Sequence, residues 1–354
     1  MDTTTFRILD TVSAYLGKSF SINQLTRKIK EVHGTAYYAN IYKKLHDLKE
    51  KGIINLNKSG KSSIIDLNFQ NYLLIDFLTE MEIRKKIEFL KRKTDLQMFL
   101  TDMDRCFSNL HSIKSICSID SEKNSKLNKM ELLFLLKDQK EGADTQDEIA
   151  RIHKELQKLQ GKHNLRVDSL ILDECEFFDL LESDEMNPLK EILSKKTAFF
   201  RPQAFWSEVR EILEKGVKIR TREKETKPAD ISEMDLIYNL ARFGYKDFGS
   251  RMRQGQKICI EYIITSLLLQ GDVRRIESTP IILAKHGASS NLMVFLAQKF
   301  GVSERLLGLL KILANIKPTK EVDRATKLLE SLNVKEVEAD ERSILQKMRL
   351  YNAA

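Results

Sequence analysis

Residues 19–52 read SFSINQLTRKIKEVHGTAYYANIYKKLHDLKEKG. Ser21 followed by Gln24 is an S-x-x-Q capping box, which starts a helix by pairing its first free amide groups reciprocally. Ile22, Leu25 and Ile29 then recur at helical spacing as an apolar stripe. Gly34 breaks the chain. The pattern resumes after it, with Tyr38, Ile41, Leu45 and Leu48 expected on one buried face, and stops at Gly52. Two helices joined by a short glycine-containing turn form a helix-turn-helix.

The flanks extend that unit. Residues 5–16, TFRILDTVSAYL, have the spacing of a preceding helix. After Gly52, IINLN, the turn KSGK and SSIIDL predict a two-stranded hairpin. Three helices and a hairpin over residues 1–70 give the winged helix-turn-helix order. Fixing the buried face of the third helix leaves Ala36, Ala39, Asn40, Lys43 and Asp47 outside, with Tyr37 and Lys44 at the edges. Asn can pair bidentately with adenine, Lys can reach guanine or phosphate, and small residues let the backbone approach base edges. Residues 1–70 carry eleven Lys or Arg against six Asp or Glu, and neutralising phosphates with cations makes binding salt-dependent. Thr35, Tyr37, Asn40, Lys43, Lys44 and the wing tip Lys58, Ser59 and Lys61 are the expected contacts to double-stranded DNA. Of Tyr37, Tyr38 and Tyr42, two are expected in helix packing. A winged helix that docks transcription or replication factors is the alternative at this point.

Further along, 72–93 and 94–110 read as connecting helices within residues 71–111. Strands are expected at 112–119, 130–137 and 165–172, with a short one at TAFF (197–200). Helices are expected at 144–162, at ECEFFDLLESD, at NPLKEILSKK and at PQAFWSEVREILEKG. Strands alternating with helices over 112–216 argue for an α/β unit with a small mixed sheet. The charged stretch 217–230, VKIRTREKETKPAD, reads as a linker. Residues 231–354 are expected to be an all-α domain, with helices at 231–243, 250–270, 289–300, 303–315, 319–332 and 336–350. The fold class is therefore α+β and multidomain.

The stretch 117–136, CSIDSEKNSKLNKMELLFLL, carries a resemblance. Strand, polar loop and strand resemble the minimal nucleotidyltransferase fold of the polymerase β-like superfamily. That family places Gly-Ser before an Asp-x-Asp on the next strand, with a third acid on a later one. Three carboxylates converge because two divalent metals must be held close together. Laid on this chain, the pattern puts Cys117-Ser118 at Gly-Ser, Lys129-Met130-Glu131 at the acid pair and Asp168 at the third acid. The glycine is lost and the first acid has become a cation, which repels a metal. The resemblance thus implies a degenerate domain, without catalytic residues, metal or cofactor. Its pocket of Ser118, Lys129, Glu131 and Asp168 is a candidate for a nucleotide or other anion. The fusion order and the segment 187–216 resemble archaeal regulators that join a winged helix to such a domain. A divergent nucleotidyltransferase is the enzymatic alternative.

The bulk numbers fit a packed protein: 42% hydrophobic, 31% charged and a net charge of +8 over 354 residues. The basic balance is compatible with nucleic acid. Cys106, Cys117, Cys175 and Cys259 form no C-x-x-C pair and read as buried thiols of a reducing compartment. The start MDTTTFRILD lacks the basic and apolar regions of a leader. No run reaches the roughly 18 apolar residues of a membrane span, so a cytoplasmic protein without membrane contact is expected. The apolar helices around Ile260 and LLGLLKILANI make a homodimer through the C-terminal helices a candidate assembly. Together these readings predict a sequence-specific DNA-binding transcription regulator whose nucleotidyltransferase-like core serves as scaffold or ligand sensor.

Overall fold

The computed structural model describes residues 1–60, 62–119, 128–138, 145–222, 226–246 and 254–354. The chain is α+β, with helices predominating over two small sheets. α1 (Thr3–Ala14) starts at Asp2, whose Oδ1 accepts from the Thr5 amide at 2.9 Å. β1 (Phe20–Ser21), α2 (Ile22–His33), α3 (Tyr38–Glu50), β2 (Ile54–Ser59) and β3 (Ser62–Leu67) follow. The capping box forms: the Gln24 amide donates to Ser21 Oγ at 3.3 Å and the Ser21 amide to Gln24 Oε1 at 2.9 Å. Gly34 closes α2 at φ +79°, its amide donating to the Lys30 carbonyl. A side chain there would be strained. The strands pair antiparallel in the order β1-β3-β2, with Ile65 between Phe20 and Leu56. Leu9, Leu25, Ile29, Leu45 and Ile65 are fully buried, each contributing about 1.5–3 kcal/mol of apolar burial.

α4 (Leu73–Arg92) and α5 (Leu96–Phe107) lead into β4 (Ile113–Ile119) and β5 (Lys129–Leu136). Then come α6 (Thr145–His163), β6 (Arg166–Leu172), α7 (Glu174–Glu182), α8 (Pro188–Lys195), β7 (Lys196–Phe200) and α9 (Pro202–Glu214). β4 lies between β5 and β7, antiparallel to both. Every residue of β5 after Lys129 is buried, the pattern of a strand covered on both faces. α4 packs on α1, on α9 and on β7. Arg201 links β7 to α9 in the left-handed region (φ 48°), and its guanidinium donates to the Ile113 carbonyl at 2.8 Å.

The helices α10 (Glu233–Arg242), α11 (Ile260–Gln270), α12 (Val273–Ile276), α13 (Thr279–Lys285), α14 (Ser290–Phe300), α15 (Ser303–Ile316), α16 (Lys320–Ser331) and α17 (Glu341–Leu350) complete the chain. α12 and α13 occupy 271–288, where no helix was expected, because helices of four and seven residues are too short to display a 3.6-residue period. Of the helix expected over 250–270, residues 250–253 lie outside the described residues, and α11 starts only at Ile260. Tertiary bonds hold the chain extended before it. The Met186 amide donates to the Lys257 carbonyl, the Cys259 amide donates to the Met186 carbonyl, and Asn239 Oδ1 accepts from the Ile258 amide. α17 likewise starts at Glu341 rather than 336, since the Val337 amide donates to the Glu304 carbonyl at 3.2 Å.

Two compact units interleave along the chain. One comprises Met1–Asp138, Asp173–Glu182 and Leu189–Lys224; the other Gln139–Leu172, Ser183–Pro188 and Glu225–Ala354. In the first, residues 217–222 are packed rather than linker-like. Val217 and Ile219 are buried, the Thr221 amide donates to the Leu16 carbonyl, and the Thr221 hydroxyl donates to the Ala14 carbonyl at 2.9 Å. Residues 223–225 lie outside the described part. In the second unit, α11, α14 and α15 are buried over most of their lengths and β6 packs on α14. The apolar surface that suggested a second subunit is therefore covered within the chain itself. Among the described residues no helix is long and apolar enough to cross a membrane.

Candidate functional site

The outer face of α3 is set by its buried one. Ile41, Leu45 and Leu48 anchor the helix, which leaves Asn40 and Lys43 exposed near its N-terminal end. Tyr37 sits at the N-cap, 71% exposed. Thr35 shapes the turn before it, because Arg7 of α1 donates to both its carbonyl (2.8 Å) and its hydroxyl (3.1 Å). Lys44 is engaged instead with Asp2 and Asp47, at 3.1 and 3.5 Å. Lys58 is exposed on β2, opposite Ser63. Lys61 and the Ser59 side chain lie outside the described residues.

Tyr38 departs from expectation. It is 48% exposed and stacks on the exposed Tyr42, ring centroids 6.0 Å apart, while Tyr42 meets His46 at 4.5 Å. Residues four apart are neighbours on a helix surface, so the three rings form one row on the outside of α3. A phenol on this side of the helix keeps its hydroxyl in water. Sequence spacing alone cannot separate this row from a buried stripe.

Of the four residues of the degenerate acid motif, two form an ion pair. Lys129 and Glu131 pair at 3.3 Å with the carboxylate almost fully buried. Ser118 is buried inside β4, opposite Leu132. Directly opposed residues share a face and successive residues alternate, so Ser118 projects from the sheet face opposite to Lys129 and Glu131. Ser118 lies within the strand expected at 112–119, and residues 120–127 lie outside the described part. Asp168 lies on β6 in the second unit, with Arg166 Nε 3.1 Å from its Oδ1. Among the described residues no group of three or more His, Cys, Asp or Glu could hold a metal ion.

A second constellation in the first unit gave no sequence signal. Glu82 of α4 is fully buried; Lys196 Nζ of β7 donates to its Oε1 at 2.7 Å and the Ala198 amide to its Oε2 at 2.9 Å. Lys196 Nζ lies 4.0 Å from the Trp206 ring and 4.6 Å from that of Phe205. Lys85 donates to the Lys196 carbonyl at 2.8 Å and pairs with Asp10 of α1 at 3.2 Å. His33 Nε2 approaches the other Asp10 oxygen at 3.4 Å. Burial acts to raise the Glu82 carboxyl, but Lys196 and Lys85 outweigh it and hold the group below its ordinary range. Burial pulls the Lys196 ammonium below its ordinary value, with Glu82 opposing. Cys117 lies beside this group, its thiol pushed up to about 12 by burial. The centre of the cluster, Glu82 and Lys196, is closed to solvent, Lys85, Asp10 and His33 are half-buried at its edge, and the group ties α1 and α2 to the sheet.

The thiols depart from expectation at two positions. Cys117 and Cys259 are buried, Cys106 is half-buried, and Cys175 is exposed. Cys175 Sγ donates to Asp138 Oδ2 at 3.2 Å, and that bond raises the thiol to about 11. No family model, no curated protein and no solved structure matches this chain.

Proposed function

We propose that residues 1–70 act as a winged helix on double-stranded DNA, and that the chain is a sequence-specific transcription regulator. The observation that carries this is the outer face of α3. Asn40 and Lys43 stand exposed on a helix rigidly anchored by Ile41, Leu45 and Leu48, beside a hairpin that exposes Lys58. The element order α1-β1-α2-α3-β2-β3 and the sheet order β1-β3-β2 support the module. α3 would enter the major groove and the hairpin would follow the phosphate backbone. The sheet around β4 serves as a non-catalytic scaffold. Lys129, a cation paired with Glu131 at the position where the resemblance needs a metal-binding acid, supports that reading.

The test is fluorescence anisotropy with labelled duplexes over roughly 50–200 mM salt. Binding whose logarithm falls linearly with log salt is expected. Absence of binding at the lowest salt sinks the proposal. It would also favour a second reading, carried by the exposed Tyr38–Tyr42–His46 row, in which α3 docks a protein partner through aromatic contacts.

A further inference from the structure

A pocket of about 320 Å³ opens in the first unit between the end of α1, strand β3 and residues 217–220. Small-molecule sites occupy roughly 300–1,000 Å³, so its size suits a compact ligand. Its walls are apolar, with Tyr15, Leu67 and Phe69 only half-buried. Its mouth is cationic: Lys18, Lys218 and Arg220 line it, all exposed, against the single carboxylate of Asp66. That carboxylate already accepts from the Ser19 hydroxyl at 3.3 Å. Among the described residues none of the three cations forms an ion pair. Lys18 also holds its ammonium group 5.3 Å from the Tyr15 ring centroid, which adds to the positive field over that wall, whereas Lys28, 5.2 Å from the same ring, is paired with Glu31 at 3.2 Å.

The pocket is preformed by backbone. Gly17, at φ +78°, lies so close to residue 219 that a Cβ would sit 2.0 Å from the Ile219 carbonyl oxygen. Thr221 fastens the same segment to the end of α1 through the Ala14 and Leu16 carbonyls. An apolar cavity with fixed walls and a cationic mouth is complementary to a molecule with an apolar body and one acidic group.

We propose that this pocket binds a small organic anion, its apolar body against Tyr15, Leu67 and Phe69 and its acid group at Lys218 and Arg220. The proposal is independent of the DNA reading. The test is calorimetric titration of the full chain, without DNA, with indole-3-acetate, indole-3-acetamide and tryptamine, which share one ring and differ in charge. Phenyl phosphate is a second acidic probe and sodium acetate an acid without the apolar body. Saturable binding of indole-3-acetate or phenyl phosphate is expected, at least tenfold tighter than the amide, with no binding of tryptamine or acetate. The double variant K218A/R220A should weaken the acid at least tenfold while keeping the wild-type circular dichroism spectrum. Should K218A/R220A prove unstable, the single charge-removing variants K218Q and R220Q carry the test: each should weaken the acid and leave the amide unchanged, and wild-type affinity for the acid in both overturns the proposal. Failure of both acidic probes to bind overturns the proposal. Equal affinity for acid and amide, or binding indifferent to K218A/R220A, does so as well. None of these outcomes bears on duplex binding, which is measured separately.

Discussion

The outer face of α3 and the cluster around Glu82 use the same residue types under opposite conditions. On α3, Lys43 stands in water on one side of a helix whose other side is core. Lys196 is enclosed by a carboxylate, an indole and a phenyl ring, with 3% of its surface exposed. An exposed cation keeps its hydration and is free to exchange it for a phosphate or a base edge. A buried one has lost its hydration and depends on its partner for stability. Charge on the surface is therefore available for recognition, whereas charge in the interior specifies how helices and sheet fit together.

The largest effect should come from breaking the buried pair. Glu82→Ala leaves Lys196 without its carboxylate and is expected to cost about 3–5 kcal/mol in urea unfolding. The double variant Glu82→Leu with Lys196→Met, which removes both charges, should recover most of that loss. A double variant as unstable as Glu82→Ala would mean that the charges are not the source of the effect.

A buried group without a charged partner gives the next effect. His153 on α6 is held down to about 4 by burial, against 6.5 in an unfolded chain. The unfolded state then binds the extra proton between those values, so the contribution of His153 is complete above about pH 6.5 and is lost as pH falls toward 4. A shift of that size corresponds to about 3 kcal/mol across the window. His153→Leu should flatten the stability profile there by a comparable amount, as read by thermal unfolding at successive pH values. An unchanged slope would place the acid sensitivity elsewhere.

The exposed face should respond in binding and not in stability. Lys43→Ala is expected to relax discrimination between duplex sequences by about 1–3 kcal/mol, measured by competition between variant duplexes. Lys58→Ala should weaken all duplexes alike and lower the salt slope by about one, while its stability stays within about 0.5 kcal/mol of wild type. If Lys43→Ala unfolds the protein, the contrast between the two regions is broken.

Much of the first 70 residues was readable, because local chemistry decides it. The Ser21–Gln24 box, Gly34 and the Ile41–Leu45–Leu48 stripe each act within a few residues and appear where expected. The strands around residues 113–119 and 129–136 also announced themselves as short apolar runs. What the sequence hid depends on distant partners. Glu82 and Lys196 are 114 positions apart, and nothing local marks either as buried. Tyr38 falls in phase with the core stripe yet faces water. The alternation Val217, Lys218, Ile219 and Arg220 was masked by the surrounding charge, although it buries both aliphatic residues. At the candidate site, spacing aligned Ser118 with Glu131, whereas strand parity puts them on opposite faces.

The indole stacked over Lys196 has an experimental consequence. Trp206 is the only tryptophan in the chain, is fully buried, and belongs to the first of the two units. Its fluorescence is thus a private optical report on that unit, silent about the other. The far-ultraviolet dichroism sums the helices of both. Coincident unfolding curves from the two signals would mean that the interleaved units melt as one cooperative body. Separated curves would give each unit its own midpoint without cutting the chain.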